Sequence, residues 1–508
     1  MSRKNSKDLF LLIKSLNKSE KGYIKKTSFS YQEKNTNFLR LFTAIDNQDV
    51  YNEAELLQKE KYIKQLPRLK IYLYERILSS LDSYYSRKNI NLSLQKMLSS
   101  VYVLQPKGLY DQCLKQLYKA KELAGRHEKF TVLLEIYDLE RTLYIEQQQI
   151  GAAGKVQLEE NHTIVQINNL SFFKTRYEEI SRLYVEIIYT RKKAEVKQLR
   201  AVIDDKRFSN VKEALSLQAK IIYYKTLCKY YSALDDRKSY LQHAKAALTL
   251  AEKNPHYISE NILQYIKLLN NYMATASENA LHQEFELSMQ KLKNIPLQYE
   301  HSDKKTIRSQ IELRVIIREY FHSKNNYNFH RPLELMNSLE KHLGDNPLIS
   351  ETHRVIFYYH VAYTNFIHNN IKKAISWANR IIHTETHPDK LFFHCFARTL
   401  LLFCYYELGE SSSLKYHLNS AEKFFIRNEK LYSLESIAIR FFRGVLLKQN
   451  RMSLNVLLKD LYTDLQKNFD PMEYKILEYF DIFSWYKSKT TGRSFLEVLE
   501  KQDNQKFQ

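Results

Sequence analysis

Apolar residues recur every three to four positions along most of the chain, and short polar stretches break the runs. In residues 401–425, LLFCYYELGESSSLKYHLNSAEKFF, Leu401, Tyr405 and Leu408 share one helical face. Gly409 follows the last periodic residue, where helices commonly end in a left-handed cap. Ser411–Ser413 are placed to cap a second helix, in which Leu414, Leu418, Ala421 and Phe425 return to one face. The pattern predicts two amphipathic helices folded back on each other. One such hairpin cannot bury both faces, so neighbours must stack on it.

Three further stretches repeat the shape. In 352–389, Ser350 is placed to cap a helix whose inner face carries Tyr358, Val361 and Ala362. A His-Asn-Asn turn follows, then Ala374, Ala378 and Ile381 face inward, and Pro388 closes the unit. In 223–255, Tyr224, Leu227, Cys228 and Tyr231 lead to the turn LDDRKS, then to Ala244, Ala247 and a closing Pro255. Residues 97–125 give a fainter copy: Leu104, a turn at 106–108, then Tyr110, Cys113, Leu117, Ala120 and Gly125.

These hairpins resemble tetratricopeptide repeats, whose pattern runs from a large apolar residue through Leu-Gly, Tyr, a turn, Ala, an aromatic and Ala to Pro. In 398–427 the Leu, Tyr, turn Gly and second Ala positions are Leu401, Tyr405, Gly409 and Ala421. Leu402 and Leu414 depart from the small residues the pattern has there, as does Tyr240 in the 224–252 copy. The resemblance implies an all-α, right-handed α-solenoid of degenerate tetratricopeptide-like hairpins behind an N-terminal helical leader. It divides the chain into a basic N-terminal helical module at 1–90, repeats at 91–300 and 301–450, and capping helices with a tail at 451–508.

The N-terminal segment predicts a short helix over Lys7–Leu16. Asn17 with Glu20 three residues on is then close to a capping box. Further helical stretches follow at 37–48, 52–65 and 66–87, with Pro67 suited to a first helical turn. This opening resembles that of a group of proteins from Bacteroidetes-type bacteria, in which a basic leader precedes tetratricopeptide-like helices. The glycine cluster QIGAAGK at 149–155 reads as a hinge or long loop, 293–305 as a second connection and 501–508 as a frayed tail.

Composition supports the all-α reading. Only nine glycines and eight prolines occur in 508 residues, and no Asn-Gly or Asp-Gly pair is available for tight β-hairpins. Hydrophobic residues make up 44%, enough for a large core. Four scattered cysteines, Cys113, Cys228, Cys395 and Cys404, fit neither a disulfide framework nor a zinc site and read as small buried residues. The apolar run 391–408 contains His394 and Arg398, which suits a buried helix rather than a membrane span. With only Leu9–Ile13 as an apolar start, no secretory signal is read, and the expected location is the cytoplasm.

Net charge is +21, yet the basic residues are dispersed among 57 acids. Met1–Lys26 is the most basic segment, and Lys14, Lys18, Lys21, Lys25 and Lys26 would carry any contacts to phosphates. No phosphate-binding glycine loop, nucleophile elbow or HExxH motif occurs, so no catalytic residue, cofactor or metal is assigned. His383 and His387 flank a glutamate at the turn before Pro388 and read as surface residues. His353 and His360 could share a helix face and read as core-edge packing. Most of the 38 tyrosines read as inter-helix packing, and Trp377 and Trp485 as packing anchors.

The function expected from this pattern is a non-catalytic scaffold that binds a peptide or protein segment in a helical-repeat groove. Tyr358, Asn365 and Arg398 are the groove residues it implicates. The alternative is a cytoplasmic regulator whose basic N-terminal module contacts nucleic acid while the repeats sense a ligand.

Overall fold

The computed structural model describes residues 7–27, 37–59, 65–86, 89–190, 195–298, 304–342, 349–387, 390–429, 432–448, 454–469 and 476–501. The described residues are helical, with no strand among them, and consecutive helices pack in tandem. None of those helices is long and apolar enough to cross a membrane. Pro388 and residues 502–508 lie outside the described residues. Contacts gather the chain into two compact units, Met1–Ile167 and Asn168–Gln508.

The first unit opens with helices Asp8–Ser15, Lys18–Thr27, Asn37–Asp46, Glu53–Lys59 and Leu66–Tyr85. Leu9, Ile13, Ile24, Phe42, Leu73 and Ile77 form their shared core. The capping box is present: the Glu20 amide donates to Asn17 Oδ1 at 3.0 Å and the Asn17 amide donates to Glu20 Oε2 at 2.7 Å. Helices Ile90–Leu104, Tyr110–Arg126 and Phe130–Glu146 follow, with Cys113, Leu117 and Ala120 buried and Gly108 left-handed at the turn.

The glycine cluster is not a loop. Gly151 and Gly154 lie in the first turns of helix Ile150–Thr190. Two glycines cost helix stability, but Ala153 and Val156 between and beside them are buried, and that packing holds the turn helical. The expected connection at 293–305 is likewise narrower than read, because helix His282–Gln298 runs through Pro296.

The second unit stacks helix pairs. Leu217–Ala233 pairs with Arg237–Glu252, Ile262–Glu278 with His282–Gln298, and Lys304–Asn325 with His330–His342. Glu351–Ile367 then pairs with Ile371–Ile382, and Leu391–Glu407 with Ser411–Arg427. Ser350 caps its helix as expected. The serines at 411–413 do not cap theirs: Glu410 holds the N-cap position and accepts from Ser413 Oγ at 3.0 Å. Pro255 opens helix Pro255–Glu260 rather than closing a unit.

One turn geometry recurs between the paired helices. Asp235, Ala280, Tyr327, Asn369 and Gly409 all have φ between 55 and 71°. After each of them the next amide reaches back to the carbonyl five residues earlier, at 2.8–3.1 Å. This is the Schellman arrangement that satisfies the last carbonyls of a helix. Four of these five positions are not glycine, which explains how so glycine-poor a chain builds so many tight turns. A side chain in this region costs roughly 1–2 kcal/mol, while a glycine there adds about 0.5–1 kcal/mol of unfolded-state entropy. Ala280 is exposed at φ 56°, so Ala280→Gly is expected to raise stability by about 0.5–1 kcal/mol, read as a higher denaturant midpoint with unchanged slope.

Candidate functional site

The first helices of the pairs in the second unit help to line a shared cavity, and a stripe of basic residues runs beside it and meets it at Arg318. Helical spacing sets the stripes: Lys225, Lys229 and Ser232 on one helix, Gln264, Lys267, Asn271 and Ala274 on the next, Arg314, Arg318 and Phe321 on the third, and His353, Phe357 and His360 on the fourth. The cavity itself measures about 620 Å³ and is walled by Tyr184, Tyr240, Arg318, Phe357, His360 and Tyr479, among others.

Among the described residues, no carboxylate comes within ion-pair distance of Lys225, Lys229, Lys267, Arg314 or Arg318. Basic residues on the second helices of the same pairs behave differently. Lys245 pairs with Glu284 at 2.8 Å, Lys291 with Glu252 at 2.7 Å and Lys293 with Glu319 at 2.8 Å. The striped cations are held instead by neutral groups. Lys225 Nζ donates to Gln264 Oε1 at 3.2 Å and lies 4.5 Å from the centre of the Tyr177 ring. Lys229 lies over Tyr184 at 4.9 Å and Tyr177 at 5.6 Å. Arg318 Nε donates to Asn270 Oδ1 at 2.8 Å.

Burial without neutralisation disfavours the charged forms. It lowers Lys225 to about 8, with Lys267 and Lys229 adding repulsion. It also lowers Lys229, Arg314 and Arg318; Tyr240 and Glu278 partly offset the effect at Arg318. At the other end of the cavity His360 is 2% exposed, and its Nδ1 has no hydrogen-bond partner. Burial and the nearby Lys324 push its pKa down to about 3, so the imidazole is neutral.

Residues 476–481 form the far wall, and side chains of the helices hold their backbone. Tyr359 Oη donates to the Tyr479 carbonyl at 3.0 Å, and the Asp481 amide donates to Tyr363 Oη at 3.2 Å. Lys324 Nζ donates to the Glu478 carbonyl. The Tyr479 ring packs among Phe392, Phe393 and Phe396. Beyond it Trp485 is fully buried against Phe403 and Tyr406 and donates from Nε1 to Glu407 Oε1 at 2.7 Å.

The residues implicated from sequence do not form this site. Tyr358 packs on Trp377 of the paired helix, with ring centres 5.2 Å apart. Asn365 is fully buried; its Nδ2 donates to the Val361 carbonyl at 2.8 Å, and its own carbonyl accepts the turn amide of Asn370. It is a turn residue and presents nothing to a partner. Arg398 lies 3.7 Å from the centre of the Phe424 ring and donates to the His394 carbonyl. The difference is rotational: on helix Glu351–Ile367 the cavity meets 353, 356, 357 and 360, and Tyr358 lies around the helix from them. His353 and His360 do share a face, and it is the cavity face.

Two of the N-terminal lysines meet at Asp46. Lys14 Nζ donates to the Asp46 carbonyl at 2.7 Å and Lys21 pairs with the Asp46 carboxylate at 2.5 Å, while Lys18, Lys25 and Lys26 are exposed. His383 and His387 are exposed and share no helix, since helix Ile371–Ile382 ends before them. No group of three potential metal ligands occurs among the described residues. Comparison with known proteins finds no matching family model, no matching curated protein and no matching solved structure. A functional reading therefore rests on the cavity and its walls.

Proposed function

We propose that the second unit is a non-catalytic binding scaffold that takes a peptide or protein segment into the cavity of its first helices. In this reading the paired helices form a right-handed superhelix of tetratricopeptide-like hairpins, and the stripes line its groove. The observation that carries the reading is the grip on residues 478–481. Lys324, Tyr359 and Tyr363 contact backbone carbonyl and amide groups there, which any peptide possesses. A surface that already holds one chain segment by its main chain, next to an open cavity about 620 Å³ in size, suits a second segment laid beside it.

The test is a random-peptide display selection on the full-length protein. Enriched peptides are then measured against Ala274→Trp, which fills the cavity from helix Ile262–Glu278, and against Tyr416→Ala, 70% exposed on helix Ser411–Arg427. Binding is expected to fall about tenfold or more for Ala274→Trp and to persist for Tyr416→Ala. Failure to enrich any peptide, or equal loss on both variants, removes the proposal.

A further inference from the structure

We propose that the segment taken by the groove is acidic: the stripe of Lys225, Lys229, Lys267, Arg314 and Arg318, which runs beside the cavity and meets it at Arg318, is a binding surface for carboxylate side chains of another polypeptide. This inference rests on the groove reading above and adds the chemistry of the occupant.

Three observations lead to it. The first is the contrast in pairing. Three cations on the second helices, Lys245, Lys291 and Lys293, have carboxylates at 2.7–2.8 Å, while the five cations of the stripe have none within ion-pair distance among the described residues. Holding unneutralised charges in a partly buried cleft costs stability, and the low-dielectric walls strengthen their attraction for an incoming anion. Four carboxylates, Asp235, Asp236, Glu278 and Glu478, line the cavity itself, and Glu278 acts on Arg318, so the acidic segment belongs along the stripe beside the cavity. Asp236 accepts from the Ser239 amide at 3.0 Å, and Asp235 lies 3.7 Å from Arg237.

The second observation separates a polypeptide from a nucleic acid. Single strands bind by stacking bases on open aromatic faces beside cations. Here the candidate faces are taken. Lys225 and Lys229 lie over Tyr177, Lys229 also lies over Tyr184, and His243 stacks on Tyr231 with ring centres 5.1 Å apart. The third is the reach of the site. Its cations come from three helices, Leu217–Ala233, Ile262–Glu278 and Lys304–Asn325, so a compact anion touches only part of it.

The experiment uses the full-length protein and three labelled probes: a glutamate-rich peptide, the same peptide with glutamine at every glutamate, and a single-stranded oligonucleotide of like charge. Fluorescence anisotropy is expected to show binding of the glutamate peptide, weakening steeply as potassium chloride is raised. Lys225→Gln and Arg318→Gln should each weaken it about tenfold or more, while Lys245→Gln, on an outward ion pair, should leave it unchanged. Thermal melts confirm that the variants fold; if one does not, the glutamate-against-glutamine comparison on the unaltered protein decides. Equal binding of the glutamine peptide, tighter binding of the oligonucleotide, or no binding of the glutamate peptide overturns the inference. If display-selected neutral peptides still bind and are blocked by Ala274→Trp, the groove stands and only its acidic preference falls.

Discussion

Lowering the pH from 7 to 4 is expected to cost the second unit about 3 kcal/mol of stability through two buried histidines. His360 and His394 are 2% and 0% exposed. Burial lowers them from 6.5 to about 3 and about 4, with Lys324 adding to the first and Arg398 and Lys390 to the second. Above 6.5 both are neutral whether the chain is folded or not, and pH has no effect through them. Between 6.5 and the folded values the unfolded chain binds protons that the folded chain refuses, so stability falls as pH falls. The part of the two shifts expressed by pH 4 would give roughly twice the stated effect at about 1.4 kcal/mol per unit; relaxation and water entry reduce it. Guanidinium midpoints at several pH values check this. His360→Phe, set among Tyr320, Phe321 and Tyr479, should flatten the pH dependence. A midpoint constant between pH 6.5 and 4, or an equally steep variant, would show the histidines to be solvated.

Trp485→Ala is expected to destabilise the second unit by about 3–5 kcal/mol, the range for emptying a large aromatic site. The indole is fully buried, stands edge-on to Phe403 at 4.7 Å and bonds Glu407. Its loss leaves a void beneath helices Leu391–Glu407 and Ser433–Lys448, where Phe441 and Phe442 also converge. Glu407 remains paired with Lys489 at 2.5 Å, so the carboxylate is not stranded and the cavity term dominates. Trp485→Phe should lose distinctly less. Thermal melts give the stability, and limited proteolysis should open 476–501 first in the Ala variant. Unchanged resistance there would mean that the segment is anchored elsewhere.

Helix existence and pairing were legible because they depend on local spacing. Leu401, Tyr405, Leu414, Leu418 and Ala421 fell on the faces their periodicity assigned. The glycine cluster misled because buried neighbours outweigh backbone entropy, and burial is not written in a six-residue window. The cavity face differs from the expected one by a rotation. In a helix packed on several sides, Tyr358 and Phe357 look equally inward from the sequence, and only the third helix of the stack decides which meets the cavity. One signal was available. None of Lys225, Lys229, Arg314 and Arg318 has an acid three or four residues away on its own helix. Trp485 reads from the sequence as a packing anchor, but the docking of residues 476–481 was beyond reach, since nothing local marks a segment as the partner of a helix more than a hundred residues earlier.

That long reach also sets an order of events during synthesis. Tyr359 meets Tyr479 across 120 residues of chain. At about 5–20 residues per second, the aromatic wall of Phe392, Phe393 and Phe396 waits several seconds or more, uncovered, for the strip of backbone that shields it. During that interval the nascent chain carries a sticky surface that the finished protein hides. A ribosome stalled before residue 476 would hold out the same surface indefinitely.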